Sequence, residues 1–159
     1  MKINNKGFTV VELLASFVLT MIIVVFLFEI VVELKNVYIN ETVRTDVINK
    51  NAVVASSINR QFENTSFESI NCKSDFFCEI SSWLNDGTQI ISPITVDKNT
   101  KTVTIDKQKI VYPEKTQLTN IKLSVNPSED NIIFKISYDI ESADLNKPIK
   151  FNLIHSYKG

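Results

Sequence analysis

The chain has 159 residues, of which 44% are hydrophobic and 22% charged, a composition typical of one ordinary domain with one additional apolar segment. Seventeen Lys and Arg against eighteen Asp and Glu give a net charge of −1, which does not favour a nucleic-acid-binding protein. Only three glycines, two cysteines and one histidine occur, so a glycine-rich phosphate-binding loop is excluded and a zinc site is hard to complete. The composition therefore predicts no cofactor, no metal and no catalytic site.

The first feature along the chain is residues 8–32, an apolar run of twenty-five residues with two glutamates as its only charges. As a helix it would span about 37 Å, more than the roughly 30 Å hydrocarbon core of a bilayer. Lys2 and Lys6 precede the run, and the positive-inside rule then places the amino terminus in the cytoplasm and everything after Lys35 outside. We expect a single-pass protein of the cytoplasmic membrane with its carboxyl terminus outside.

Two simpler interpretations of this segment compete. A secretory signal peptide needs small residues at a cleavage site after the apolar run, and residues 31–35 contain none. A plain membrane anchor fits the hydropathy equally well, but it gains nothing from Glu12, since a carboxylate at the bilayer centre costs on the order of 3 kcal/mol. A cut between Gly7 and Phe8 would create an amino group about one helical turn from Glu12, or within reach of a neighbouring subunit's Glu12.

The residues from Lys6 to Leu14, KGFTVVELL, resemble the class III signal of type IV pilins and pseudopilins. The shared features are a basic leader, a glycine before the cut, a phenylalanine after it and a glutamate at the fifth mature position. The resemblance implies that a prepilin peptidase removes leader 1–7, that a methyltransferase methylates the amine of Phe8, and that a platform protein assembles the subunits. Glu12 would neutralise the Phe8 amine of an adjacent subunit.

On this resemblance the chain is a substrate of enzymes rather than an enzyme. Major pilins often carry a glycine and a proline midway along the helix, whereas Met21 and Glu29 stand at the corresponding places here. We therefore expect a minor pilin or minor pseudopilin, with a major subunit left open, in a pilus, a competence pseudopilus or a type II secretion-like filament. The alternative is an uncleaved single-span surface protein whose extracytoplasmic head binds a ligand.

The apolar residues after Lys35 recur at spacings of three and four, which is typical of an amphipathic helix. No Pro or Gly occurs between Gly7 and Gly87, so the transmembrane and filament-core segment 8–34 is predicted to continue as one helix through 35–64. The apolar stripe of 35–64 needs a partner surface, which the rest of the chain must supply.

Runs with period-two alternation follow the helix and predict strands. They cover Val103 to Ile105, Ile110 to Tyr112, Leu118 to Val125, Ile132 to Ile140, and Ile149 to Tyr157. Turn residues at 97–99, 126–131 and 146–148 separate them, so we expect antiparallel hairpins in one twisted meander. Segment 67–87 reads as a less regular connection. The predicted fold class is α+β: a long amino-terminal helix packed on an antiparallel β-sheet head, residues 65–159, as in type IV pilins.

Few remaining residues point to chemistry. Cys72 and Cys78 lie in the predicted outer portion, where they can oxidise to a disulfide that closes a small loop, with two reduced buried thiols as the alternative. His155 stands in a predicted strand without a nucleophile motif, so we expect a structural role. From Lys35 onward fifteen basic residues balance fifteen acidic ones, and the lysines at 98, 101, 107 and 109 read as a solvated face. Direct nucleic-acid binding is not predicted.

Overall fold

The computed structural model describes residues 9–63, 66–84, 86–127 and 131–158. Helix α1 spans Val10–Glu63, and eight strands follow it within the described residues. The strands are β1 Ser66–Ser74, β2 Phe77–Trp83, β3 Gln89–Asp97, β4 Thr102–Ile105, β5 Gln108–Val111, β6 Thr116–Pro127, β7 Asn131–Ser142 and β8 Ile149–Lys158. One long amino-terminal helix followed by antiparallel strands is the predicted α+β fold.

The chain forms two compact units, Met1–Ile39 and Asn40–Gly159. The first unit contains the apolar part of α1. The second contains the remainder of α1 and all the described strands. Within the second unit the helix buries one stripe, at spacings of four, three and four residues, because those positions share a helical face. The stripe consists of Val47, Asn51, Val54 and Ile58.

The strands form two sheets rather than the single meander predicted. One sheet has the order β1-β2-β3-β4-β5 and the other β6-β7-β8, and every pairing is antiparallel. The break falls between β5 and β6, where Pro113 cannot donate a backbone hydrogen bond to a ladder. Instead, the N–H of Thr116 donates to the carbonyl oxygen of Pro113 across 3.0 Å, which makes a turn.

The prediction of an irregular connection at 67–87 is wrong, because most of it forms the β1–β2 hairpin, and β3 directly after it was not predicted at all. The buried face of β2 consists of Cys78, Ile80 and Ser82. A serine on the buried face weakens the alternation of apolar and polar residues from which strands are recognised. Short polar stretches of this kind become strands through pairing with neighbours.

Five strands were predicted in the right order. The alternating run from Ile132 to Ile140 became β7, whose buried face carries Phe134, Ile136 and Tyr138, each at most 1% exposed. The predicted turn after Asp97 is also present. There the Asp97 carboxylate accepts hydrogen bonds from the Asn99 N–H at 2.8 Å and from the Thr100 hydroxyl at 2.7 Å. These hydrogen bonds lower the pKa of Asp97, and the bond from the Thr100 hydroxyl contributes most.

Candidate functional site

The candidate site predicted from the sequence falls partly outside the described residues. Lys2, Lys6, Gly7 and Phe8 lie before residue 9, where the description begins. Their roles as basic leader, cleavage position and methylated residue therefore stay predictions. Glu12 is described, in the first turn of α1.

Glu12 is held by a reciprocal set of hydrogen bonds with Thr9. The backbone N–H and the hydroxyl of Thr9 both donate to Oε2 of Glu12, each across 2.9 Å. The N–H of Glu12 donates back to Oγ1 of Thr9 across 3.3 Å. The N–H of Leu13 then donates to the carbonyl oxygen of Thr9 at 3.1 Å, the first bond of the helical pattern. Thr9 is thus the N-cap and Glu12 the third helical residue of a capping box.

The capping box gives Glu12 a local role that our sequence interpretation missed. The signal was available, because Thr9-Val10-Val11-Glu12 has the spacing of a Ser or Thr followed three residues later by Glu or Gln. A carboxylate in the first turn also interacts favourably with the positive end of the helix dipole. The cap occupies Oε2 only: within the described part of the chain, no hydrogen bond to Oε1 of Glu12 is found.

Two hydroxyls in the apolar part of α1 are bonded to their own helix. The hydroxyl of Ser16 donates to the carbonyl oxygen of Leu13 at 2.9 Å, and that of Thr20 donates to the carbonyl oxygen of Ser16 at 2.7 Å. Hydroxyls bonded to their own helix leave no unpaired donor in an apolar medium. Glu12, Ser16 and Thr20 follow one another at intervals of four, so they share one face of α1.

The surface of this part of α1 is apolar on its other faces. The side chains from Val10 to Val37 are exposed, and the helix is long and apolar enough to cross a membrane. A shallow groove of about 440 Å³ runs along it, with Ala15 near its middle. Its lining is Val11, Leu14, Ala15, Val18, Leu19 and Ile22. An exposed apolar surface of this extent needs a lipid or protein partner.

The second unit contains the predicted disulfide. Cys72 and Cys78 are bonded to each other and are direct partners on β1 and β2. The turn that they close makes two further backbone bonds. The carbonyl oxygen of Asp75 accepts from the N–H of Leu123 on β6 at 3.1 Å, and that of Phe76 accepts from the N–H of Val96 on β3 at 3.0 Å. The disulfide therefore braces a hairpin tip that contacts both sheets.

His155 lies in an aromatic cluster. Its ring stacks on Phe62 of α1 with 4.3 Å between centroids and 9° between planes. Tyr157 contacts the same Phe62 at 5.2 Å and Phe67 of β1 at 4.0 Å. Burial raises the pKa of the Tyr157 hydroxyl. These contacts give the imidazole a packing role between helix and sheet.

Comparison with known proteins adds no relative to this description. No protein-family model, no curated protein and no solved structure matches the chain.

Proposed function

We propose that the chain is a minor pilin or pseudopilin, a subunit that is made as a single-pass membrane precursor, cut after Gly7 and assembled through its amino-terminal helix. The observation that carries the proposal is the position of Glu12. This acidic residue lies in the first turn of an exposed apolar helix, four positions after Phe8 of the Lys6-Gly7-Phe8 motif. The chain would act as a structural element of a filament.

Cleavage would supply the cation that Glu12 lacks. The amine freed on Phe8 is a basic group and can carry the positive charge that pairs with a carboxylate. A carboxylate accepts several hydrogen bonds, and the cap at Thr9 uses Oε2 only. Oε1 can then accept from the amine of an adjacent subunit while the helix keeps its cap. Capping and pairing between subunits are compatible roles for one side chain.

The apolar surface supports helix packing as the mode of assembly. The shallow groove around Ala15 is lined by apolar side chains at helical spacing, and side chains of another helix could pack into it. Hydrophobicity alone does not fix the register of such a bundle, because lipid tails are equally apolar. A charge pair between Glu12 and an amine would fix it.

The competing function is an uncleaved surface protein with a ligand-binding head. One observation favours it: the carboxylate of Glu12 already has partners on Thr9, so it does not require an amine. Processing separates the two functions. Only the filament subunit must be cut.

The test is co-expression of the full chain with a prepilin peptidase, followed by mass measurement of the membrane-extracted protein. We expect loss of residues 1–7, slower loss for Gly7→Ala and none for Gly7→Leu. Asn4→Ala, a change inside the leader but away from the cut, is the matched control and should be processed normally. Retention of the leader by the unchanged chain would rule out the filament subunit in favour of the anchored surface protein.

A further inference from the structure

Within the described residues the two sheets have four edge strands, of which β8 alone is both long and regular. β1 and β5 are the edges of the first sheet, and β6 and β8 are those of the second. The register of β1 against β2 is interrupted twice, and that of β6 against β7 is interrupted between Thr119 and Lys122. β5 has only four residues. Bulges and short strands protect a sheet edge from pairing with another chain.

β8 lacks this protection. It pairs with β7 through ten consecutive residues, Ile149–Lys158, without a shift in register, and it contains no proline. Its other edge pairs with no strand of the described chain, so a row of backbone N–H and C=O groups has no ladder partner there. An edge of this length and regularity is a template for an added strand.

The core-facing side of β8 specifies the apolar residues that an added strand needs. Phe151 and Leu153 pack against the core and are partly buried, and the Phe151 ring stacks on Tyr138 of β7 with 4.8 Å between centroids. Their partners on β7, Tyr138 and Ile136, are at most 1% exposed. The core therefore extends to the edge, where apolar residues at alternate positions of an added strand would bury Phe151 and Leu153 further.

The charge of this part of the chain specifies the other face of the added strand. Residues 145–159 contain three lysines and no acidic residue, in a chain whose net charge is −1. Asp139 of β7 lies opposite Lys150, but its carboxylate accepts from Nδ2 of Asn120 at 2.8 Å. The ion pairs found among the described residues do not include Lys150. The exposed face of β8 therefore favours acidic side chains on a neighbouring strand.

We propose that the outer edge of β8 binds an extended segment of another protein, in which apolar residues alternate with polar ones and the polar face is acidic. Antiparallel addition continues the pattern of this sheet. The β8 strand of a second copy fits less well, because it carries the same positive charge and like charges on neighbouring strands are destabilising. Pairing at this edge involves the second unit only and does not require cleavage after Gly7, so a failure of the proposed function leaves it standing.

The experiment titrates the full chain in detergent with a synthetic peptide of about ten residues, the length of an ordinary strand. The peptide has valine at alternate positions, with threonine and glutamate between them, and a matched peptide has lysine in place of glutamate. We expect the glutamate peptide to bind about fivefold more tightly than the lysine peptide, because of the positive charge along β8. Hydrogen exchange should slow at alternate amides of β8, those that do not donate to β7, and stay unchanged in β6.

Two variants locate the site on one edge of the sheet. Lys150→Glu should reverse the preference between the two peptides. Lys122→Glu makes the same change at an exposed position of β6, the opposite edge of this sheet, and should leave the preference unaltered. Melting curves confirm that both variants are folded. Absence of binding, or binding without protection of the β8 amides, overturns the edge site. Equal affinities for the two peptides overturn the acidic partner, and protection that rises with protein concentration alone identifies a second copy as the occupant instead.

Discussion

The phenolic oxygens of Tyr112 and Tyr138 lie 2.7 Å apart inside the second unit, and both hydroxyls contact Oδ1 of Asn51 on α1, at 2.6 Å and 3.3 Å. Tyr112 follows the five-stranded sheet and Tyr138 lies on the three-stranded one. One buried hydrogen-bond network therefore ties the helix to both sheets. Because a shift of the helix would leave buried polar groups unpaired, the network fixes the helical register.

This network predicts a loss of stability in alkali. Burial raises the pKa of Tyr112 to about 12, and burial together with Tyr112 raises that of Tyr138 as well. An unfolded tyrosine releases its proton near pH 10, whereas the folded protein retains it. The stabilisation is thus complete below about pH 10 and is lost as the pH rises toward 12, by about 1.4 kcal/mol per pH unit for each phenol.

The measurement is the free energy of unfolding in urea between pH 9 and 12, for the full chain in detergent. The double variant Tyr112→Phe/Tyr138→Phe is the comparison. It should be less stable at pH 9, because Asn51 loses its partners, but its stability should fall less steeply with pH. The lysines titrate equally in both proteins, so their contribution cancels when the two pH dependences are compared. Parallel slopes would contradict the role assigned to the two phenols.

The disulfide should stabilise a particular part of the second unit. Replacing both Cys72 and Cys78 with Ser should lower the free energy of unfolding by about 2 kcal/mol, from the entropy of a small closed loop. Hydrogen exchange should accelerate most at the amides of Leu123 and Val96, since both donate to the hairpin tip that the disulfide closes. The β7–β8 amides serve as the internal control. Uniform acceleration across both sheets would contradict a local bracing role.

The buried stripe of α1 gives a prediction about packing. Ile58 is fully buried, whereas Ile48 on the same helix is 48% exposed. Ile58→Ala should destabilise the protein by about 3 kcal/mol, because it removes buried apolar contacts and leaves a cavity. Ile48→Ala is the matched control, and its effect should stay below about 1 kcal/mol. Urea unfolding measures both changes in stability. Similar losses of stability for the two variants would contradict the assignment of Ile58 to the buried stripe.

Glu12 can be tested for its two roles separately. Glu12→Gln keeps the capping box, because glutamine serves at the third helical position, but it removes the charge. Thr9→Val removes the capping hydroxyl but keeps the charge of Glu12. If pairing with an amine drives assembly, Glu12→Gln should reduce filament or cross-linked oligomer yield as strongly as Glu12→Ala, with membrane insertion unchanged. Normal assembly of Glu12→Gln would show that the cap alone is needed.

The sequence predicted the helix and five strands because their apolar residues recur at regular spacings, as in the run around Phe134 and Ile136. It missed β1 to β3, where Ser82 and Ser92 occupy buried positions and interrupt the alternation. Nor could spacing show that Asn51, a polar residue in an apolar stripe, contacts two tyrosines that are distant from it in the sequence. Such contacts depend on how the sheets pack, which local periodicity does not encode.

The candidate site was predicted unevenly for a similar reason. The motif around Gly7 and Phe8 is contiguous in the sequence, so it can be recognised without a structure. The capping role of Thr9 is also encoded locally, in the spacing of Thr9 and Glu12, although our sequence interpretation did not include it. In contrast, the stacking of His155 on Phe62 joins residues about ninety positions apart and depends on the packing of β8 against α1.

The most direct test of the central claim is the amino-terminal sequence and intact mass of the protein recovered from the membranes of cells that make a prepilin peptidase. The account predicts a chain that begins at Phe8, lacks the seven leader residues and carries one added methyl group on its amine. A protein that still begins at Met1, with the leader intact, would contradict it.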